Sequence, residues 1–189
     1  MKLILASRSP RRKQLLSSLG YEFIVDPSAS NEIFDKNLPL DEALEQVALD
    51  KAEEVAGRHP EDVVLAADTI VLIDGKILGK PEDTDAAIEM LKSLSDHMHK
   101  VKTGIAIIYK DYKQTKVVTS DVHFRKLSIE EIEQYAATGS PLDKAGGYGI
   151  QEVDFAKRVD GSFSNVIGLP LHITARMLQD IQNDPEVMF

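Results

Sequence analysis

The chain has 189 residues, 43% of them hydrophobic and 28% charged, with a formal net charge of −9. That balance suits a globular protein able to bury one sizeable core, and its acidity excludes a broad nucleic-acid face, which needs a basic surface. Cysteine is absent, which rules out disulfides, thiol catalysis and thiolate-held metal. No apolar run nears the ~20 residues that a membrane helix needs, and the first residues lack a leader pattern. A cytoplasmic protein, with no membrane or polynucleotide partner, is expected.

"KLILA" at 2–6 reads as a buried strand, and Ser9 then Pro10 suit the N-cap and first position of a helix. That helix carries Leu15, Leu16 and Leu19 and stops at Gly20. Arg11 and Arg12 fall in its first turn, where each cation costs about 0.3–1 kcal/mol. An anion would offset that cost. Backbone N–H groups at a helix start, two guanidinium forks and the Ser7 and Ser9 hydroxyls form a candidate phosphate cradle. It is not a P-loop, since G-x-x-x-x-G-K-[ST] is missing. The competing reading is a pair of solvated surface arginines.

"YEFIV" at 21–25 is a second strand, followed by a polar loop over 26–39. A helix is predicted from Asp41 to about Gly57, with Leu44, Val47, Ala48, Ala52 and Val55 as its apolar stripe. Lys51 lies on that stripe, so it must snorkel, pair or face a cleft. "VVLAAD" reads as a strand buried on both faces that ends in a carboxylate. Aspartate is disfavoured in strands and costly to bury unpaired. Asp68 is therefore a candidate for holding a cation or accepting a proton. "TIVLIDGKIL" is a hairpin turning at Asp74-Gly75, and Lys80 follows it on a Gly-Lys-Pro turn that otherwise reads as surface.

A short helix spans about 85–94. "VKTGIAIIY" and "TKVVTSDVHF" flank Lys110-Asp111 as two long antiparallel strands. Ser128 and Glu131 form a capping box for the next helix, which Gly139 ends. "DKAGGYGIQ" at 143–151 is a glycine-rich loop that would allow close approach to a ligand. In that reading Tyr148 supplies a stacking ring and Gln151 reads a base edge. The alternative is an ordinary surface loop. A last helix covers about 171–181. The histidines are scattered and form no zinc pattern. Strands and helices interleave with a hairpin, which gives an α/β fold with a mixed β-sheet, taken as one domain over 1–189.

Cationic groups suited to phosphate, a carboxylate among apolar residues and a glycine-rich loop together suit attack of water on a nucleotide phosphate. "LILASRSPRR", "AADTIVLIDGKILGKP", "DKAGGYGIQ" and "NVIGLP" occur in the order seen in the Maf family of nucleotide pyrophosphatases, and the chain resembles that family over nearly its whole length. The resemblance implies an elongated mixed sheet with flanking helices, in two lobes around a central groove, the fold shared with inosine-triphosphate pyrophosphatases. It implies hydrolysis of nucleoside triphosphates to monophosphate and pyrophosphate, dependent on Mg2+ or Mn2+. The forms "SPRR", "ADT" and "GYGIQ" resemble the branch that acts on dTTP and UTP rather than on 7-methyl-GTP.

Carried over residue by residue, the resemblance makes Asp68 the proton acceptor and, with Glu32, a metal ligand. Arg12, Lys51 and Lys80 match its basic groups and take phosphate, beside the Ser7 and Ser9 hydroxyls already read as part of the phosphate cradle. Arg11, Thr69 and Gln151 set pyrimidine specificity. Glu152 stands where many relatives carry glycine. A homodimer, removal of non-standard nucleotides and a link to arrest of cell division are family-based expectations. The alternatives are a non-catalytic nucleotide-binding regulator of septum formation that acts through a protein partner, and a phosphatase that releases orthophosphate from the γ position.

Overall fold

The computed structural model of the chain describes residues 1–183, Val187 and Phe189. Its seven strands lie in the order β2-β1-β3-β5-β6-β7, with β4 paired to β3 off that path. β1 runs parallel to β2 and β3, whereas β4 is antiparallel to β3 and β7 to β6. The fold is α/β with a mixed sheet, as the alternation of elements predicts. Residues 1–68, 103–118 and 168–189 form one compact unit; residues 69–102 and 119–167 form a second. Among the described residues no helix is long and apolar enough to cross a membrane.

In the first unit β1 (Leu3–Leu5) lies between β2 (Phe23–Val25) and the start of β3 (Val63–Ile73), with Leu3 opposite Val63 and Leu5 opposite Leu65. The crossover through α1 (Pro10–Ser18) leads to one side of β1, and the crossover through α2 (Leu40–Ala56) returns to the other. Right-handed crossovers in opposite directions place their helices on opposite faces of the sheet.

The packing follows. Leu3, Leu5, Val63, Leu65 and Ala67 pack with Leu16 of α1 and with Met177, Leu178 and Ile181 of α6 (Leu171–Gln182). Ile4, Ala6, Val64 and Ala66 pack with Ala48, Ala52 and Val55 of α2. Strand alternation thus sends even-numbered β3 residues toward α2 in this region. The contact with α2 is close at Gly104 in β5 (Met98–Tyr109), where an added Cβ would lie 2.7 Å from the Leu44 carbonyl oxygen.

In the second unit β3 continues to Ile73 and turns into β4 (Lys76–Leu78). Asp74 and Gly75 both have positive φ, at 48° and 75°, as a two-residue type I′ turn requires. Asp83 caps α3 (Thr84–Leu94) by accepting from the Ala86 N–H at 2.8 Å. β6 (Tyr112–Phe124) follows β5 after two residues. The capping box of α4 (Ile129–Ala137) forms as expected, with Ser128 accepting from the Glu131 N–H.

β7 (Ala156–Asp160) and α5 (Phe163–Ile167) were not expected. The first is a charged segment paired only with β6 in the sheet order, and the second is a single turn. Neither carries the periodicity that marks a buried element. β5 also begins earlier than expected and takes His99 into the core. His99 is 1% exposed, its Nε2 lies 2.7 Å from the Tyr148 hydroxyl, and its ring meets Phe124 edge-on.

Replacing Gly104 with alanine drives a methyl group into α2 backbone and should cost about 1–3 kcal/mol, read as a lower urea midpoint at an unchanged m-value. Burial, with a smaller contribution from His123, pulls the His99 pKa from 6.5 down to about 4. Between those values the unfolded chain holds more protons than the folded one. Stability should therefore fall as pH drops from 6.5 toward 4. His99→Gln, which cannot titrate, should flatten that slope in denaturation curves taken across the window.

Candidate functional site

The loop after β1 folds as its sequence directs. Ser9 accepts from the Arg12 N–H at 3.4 Å, and Pro10 opens α1 with no acidic residue in the first turn. Ser7 is buried and its hydroxyl accepts from the Ser9 N–H at 3.2 Å. The Arg12 guanidinium is anchored by Nε donating to the Gly168 carbonyl at 2.8 Å and by Nη1 lying 3.3 Å from the Ser7 hydroxyl. Burial lowers the Arg12 pKa. The negative charges of Asp68 and Glu32 oppose that shift, and the charge of Arg11 adds to it. The arginines are thus not two solvated surface charges. Arg12 is held inward at the positive end of a helix, in the field of two carboxylates, where an anion would find fixed donors.

Asp68 is 5% exposed and lies inside β3, not at a strand end as its sequence context implied: the strand runs unbroken from Val63 to Ile73. The two apolar runs on either side of it are one strand. It lies three residues past the last β1–β3 pair, Leu5 and Leu65. The strand order reverses there, and in open α/β sheets ligands bind at the carboxyl ends of strands at such a point. Continuing the even-numbered series of Val64 and Ala66 aims Asp68 at α2. Lys51 of α2 is 7% exposed and donates to Asp68 Oδ1 at 2.6 Å and to Glu32 Oε1 at 2.7 Å. Lys51 therefore pairs rather than snorkels. Glu32 lies on the polar loop between β2 and α2, and its side chain is 52% exposed. The structure brings Ser7, Ser9, Arg11, Arg12, Glu32, Lys51 and Asp68 together in the first unit.

No cluster of three or more His, Asp or Glu side chains suited to a metal ion occurs among the described residues. The hard carboxylate oxygens of Glu32 and Asp68, meeting at one ammonium, fit Mg2+ or Mn2+. Such ions commonly take one or two carboxylates and complete their shell with water and substrate phosphate.

Thr69, Lys80 and Gln151 belong to the second unit. Thr69 follows Asp68 on β3, so alternation turns it to the opposite face. Lys80 is exposed on its turn, and the Gly146 N–H donates to the Gly79 carbonyl at 3.0 Å, which ties that turn to the glycine-rich loop. Gly146 has φ of 71°, and an added Cβ would meet the Val71 side chain at 2.8 Å. This glycine thus serves packing rather than approach to a ligand. Tyr148 is not a stacking platform either: it is 6% exposed and packs edge-on against Phe124 and His99.

Gln151 is exposed, and its neighbour Glu152 is tied down. The Tyr135 and Ser140 hydroxyls each donate to Glu152 Oε2 at 2.7 Å, and Lys144 Nζ lies 3.1 Å from Oε1. Lys144, 5% exposed, also pairs with Asp143 at 2.7 Å. Tyr135, Ser140 and Gly168 carried no sequence signal, because each acts through a hydrogen bond to a residue remote in the chain or on another element.

A family model described as Maf-like protein matches residues 2–181. A dTTP/UTP pyrophosphatase of Halalkalibacterium halodurans is 48% identical over 179 residues, covering 94% of this chain and 94% of the relative. One from Bacillus pumilus is 43% identical over 180 residues, covering 94% and 95%. One from Acholeplasma laidlawii is 42% identical over 190 residues, covering 98% and 99%. On the family match and on these identities over almost the full length, the chain belongs to the family of Maf-like proteins.

Proposed function

We propose that this protein is a nucleoside triphosphate pyrophosphatase that hydrolyses dTTP and UTP to the monophosphate and pyrophosphate. The observation that carries the reading is the buried Asp68 carboxylate at the strand-order reversal, beside Lys51 and the arginine-bearing helix start. The names of the full-length relatives point to the same reaction.

In this reading the start of α1, with Arg12 and the Ser7 and Ser9 hydroxyls, grips the phosphates, and Lys51 adds positive charge; a phosphate role for Lys80 rests on the motif match alone. Asp68 accepts the proton of the water that attacks the α-phosphorus. The bond from that phosphorus to the bridging oxygen breaks, and pyrophosphate leaves with the bond's electrons. Fixed cations around the phosphates favour the transition state because its developing negative charge meets donors already in place. A divalent cation, held by Glu32 and Asp68, would neutralise phosphate charge and activate the nucleophile. Arg11, Thr69 and Gln151 select a uracil-type base, roles that rest on the motif match rather than on distances. We further propose a single catalytic domain over 1–189, a cytoplasmic location, a homodimer, and a role in clearing non-standard pyrimidine nucleotides with a link to arrest of division.

A panel of nucleoside triphosphates with Mg2+ or Mn2+, its products separated by nucleotide chromatography, tests the reading. Monophosphate and pyrophosphate from dTTP and UTP are expected. Orthophosphate and a diphosphate would indicate γ-phosphate hydrolysis instead, and tight binding without turnover would indicate a regulator. Asp68→Asn should lower kcat by at least about a hundredfold, the lower range for loss of a general base, while circular dichroism stays unchanged. Gln151→Ala should lower kcat/KM for UTP roughly tenfold, as loss of one base-edge hydrogen bond would, and leave less discrimination against purine triphosphates.

A further inference from the structure

The pyrophosphatase reading leaves one feature of the site unexplained. Lys51 does not point at an open phosphate position. Its ammonium is already engaged by both carboxylates, at 2.6 Å from Asp68 and 2.7 Å from Glu32. Those oxygens are the ones suited to a divalent cation, and one of them belongs to the proton acceptor. The chain therefore holds a monovalent cation of its own between the two groups that would take a divalent one.

The geometry points to an exchange: Lys51 is a resident counter-ion that a divalent cation must displace, and the displaced ammonium passes to the incoming triphosphate. This rests on the pyrophosphatase reading.

Charge favours the exchange as a coupled event. Arg12 lies in the field of Glu32 and Asp68, and Lys51 bonds both, so two cations already balance the two carboxylates. A divalent cation added alone would leave an unbalanced positive charge in a part-buried setting, where charge is poorly screened. A triphosphate brings enough negative charge to accept both the metal and the released ammonium. The chain can also make the movement. Lys51 hangs on a flexible four-carbon stem, and Glu32 sits half-exposed on a loop outside any helix or strand. Metal and nucleotide then bind with positive coupling, each strengthening the other by the same factor, and Lys51 sets the size of that factor.

The test needs no turnover. Mn2+ binding to the full chain is measured by electron paramagnetic resonance of free Mn2+, with and without a UTP analogue whose α,β-bridging oxygen is replaced by an NH group. Free Mn2+ is corrected for binding to the analogue alone. In the unaltered protein Mn2+ should bind weakly by itself and at least about tenfold more tightly with the analogue, a coupling of roughly 1.4 kcal/mol. Lys51→Met, which keeps the stem and removes the charge, should bind Mn2+ alone at least about tenfold more tightly than the unaltered protein and show less coupling. Adding Asp68→Asn to it should abolish the gain.

Equal or weaker Mn2+ binding by a folded Lys51→Met would overturn the exchange. So would identical Mn2+ affinity with and without the analogue in the unaltered protein, a result that stands even if the variant does not fold. Failure of the pyrophosphatase reading shows elsewhere, as absence of pyrophosphate from every triphosphate in the product panel.

Discussion

A buried lysine shared between two carboxylates is the interaction on which the candidate site depends. Asp68 is enclosed, and a lone carboxylate there would be costly. Lys51 is enclosed beside it and would be costly for the same reason. Each makes the other tolerable, and Glu32 takes up a further donor of the ammonium. Such a pair adds little net stability compared with apolar packing, but losing one member leaves a buried charge uncompensated. The pair therefore makes sense as chemistry kept in place by its own electrostatics.

What brings the pair together is the winding of the first unit. β1 is central, the crossover from β1 to β2 and the crossover from β2 back to β3 run in opposite directions, and α1 and α2 consequently cover opposite faces. The period of two along β3 then assigns Asp68 to the α2 side. The loop from β1 into α1 lies at the same reversal of strand order, so Arg12 and the carboxylate share one electrostatic environment. Three separate segments meet because the topology sets the carboxyl end of β1 beside the middle of β3, where Leu5 pairs with Leu65 and Asp68 follows.

Much of this was legible beforehand. The helix start at Ser9-Pro10, the capping box at Ser128 and Glu131 and the turn at Asp74-Gly75 are local, and each depends on residues within a few positions. Lys51 and Asp68 were conspicuous because charge among apolar residues breaks a pattern. The glycine-rich loop misled. Its composition matches a ligand cradle, yet Gly146 accommodates Val71, and Tyr148 fills the core against His99. Composition cannot separate a glycine needed for approach to a ligand from one needed for approach to a side chain. The Glu152 knot with Tyr135, Ser140 and Lys144 was equally hidden, since its members share no spacing rule.

The sequence by itself determined the elements, the apolar stripes and the odd charges, because periodicity, capping and turn chemistry act over a few residues. It also pointed to the family, through motifs spread over the whole chain. Only the tertiary structure decided that Asp68 lies inside a strand, that its charge is met by Lys51 and Glu32, and that Arg12 turns inward onto Gly168. Those are contacts between residues 17 to 156 positions apart. They are set by crossover handedness and strand register, and nothing in a short window of sequence encodes either.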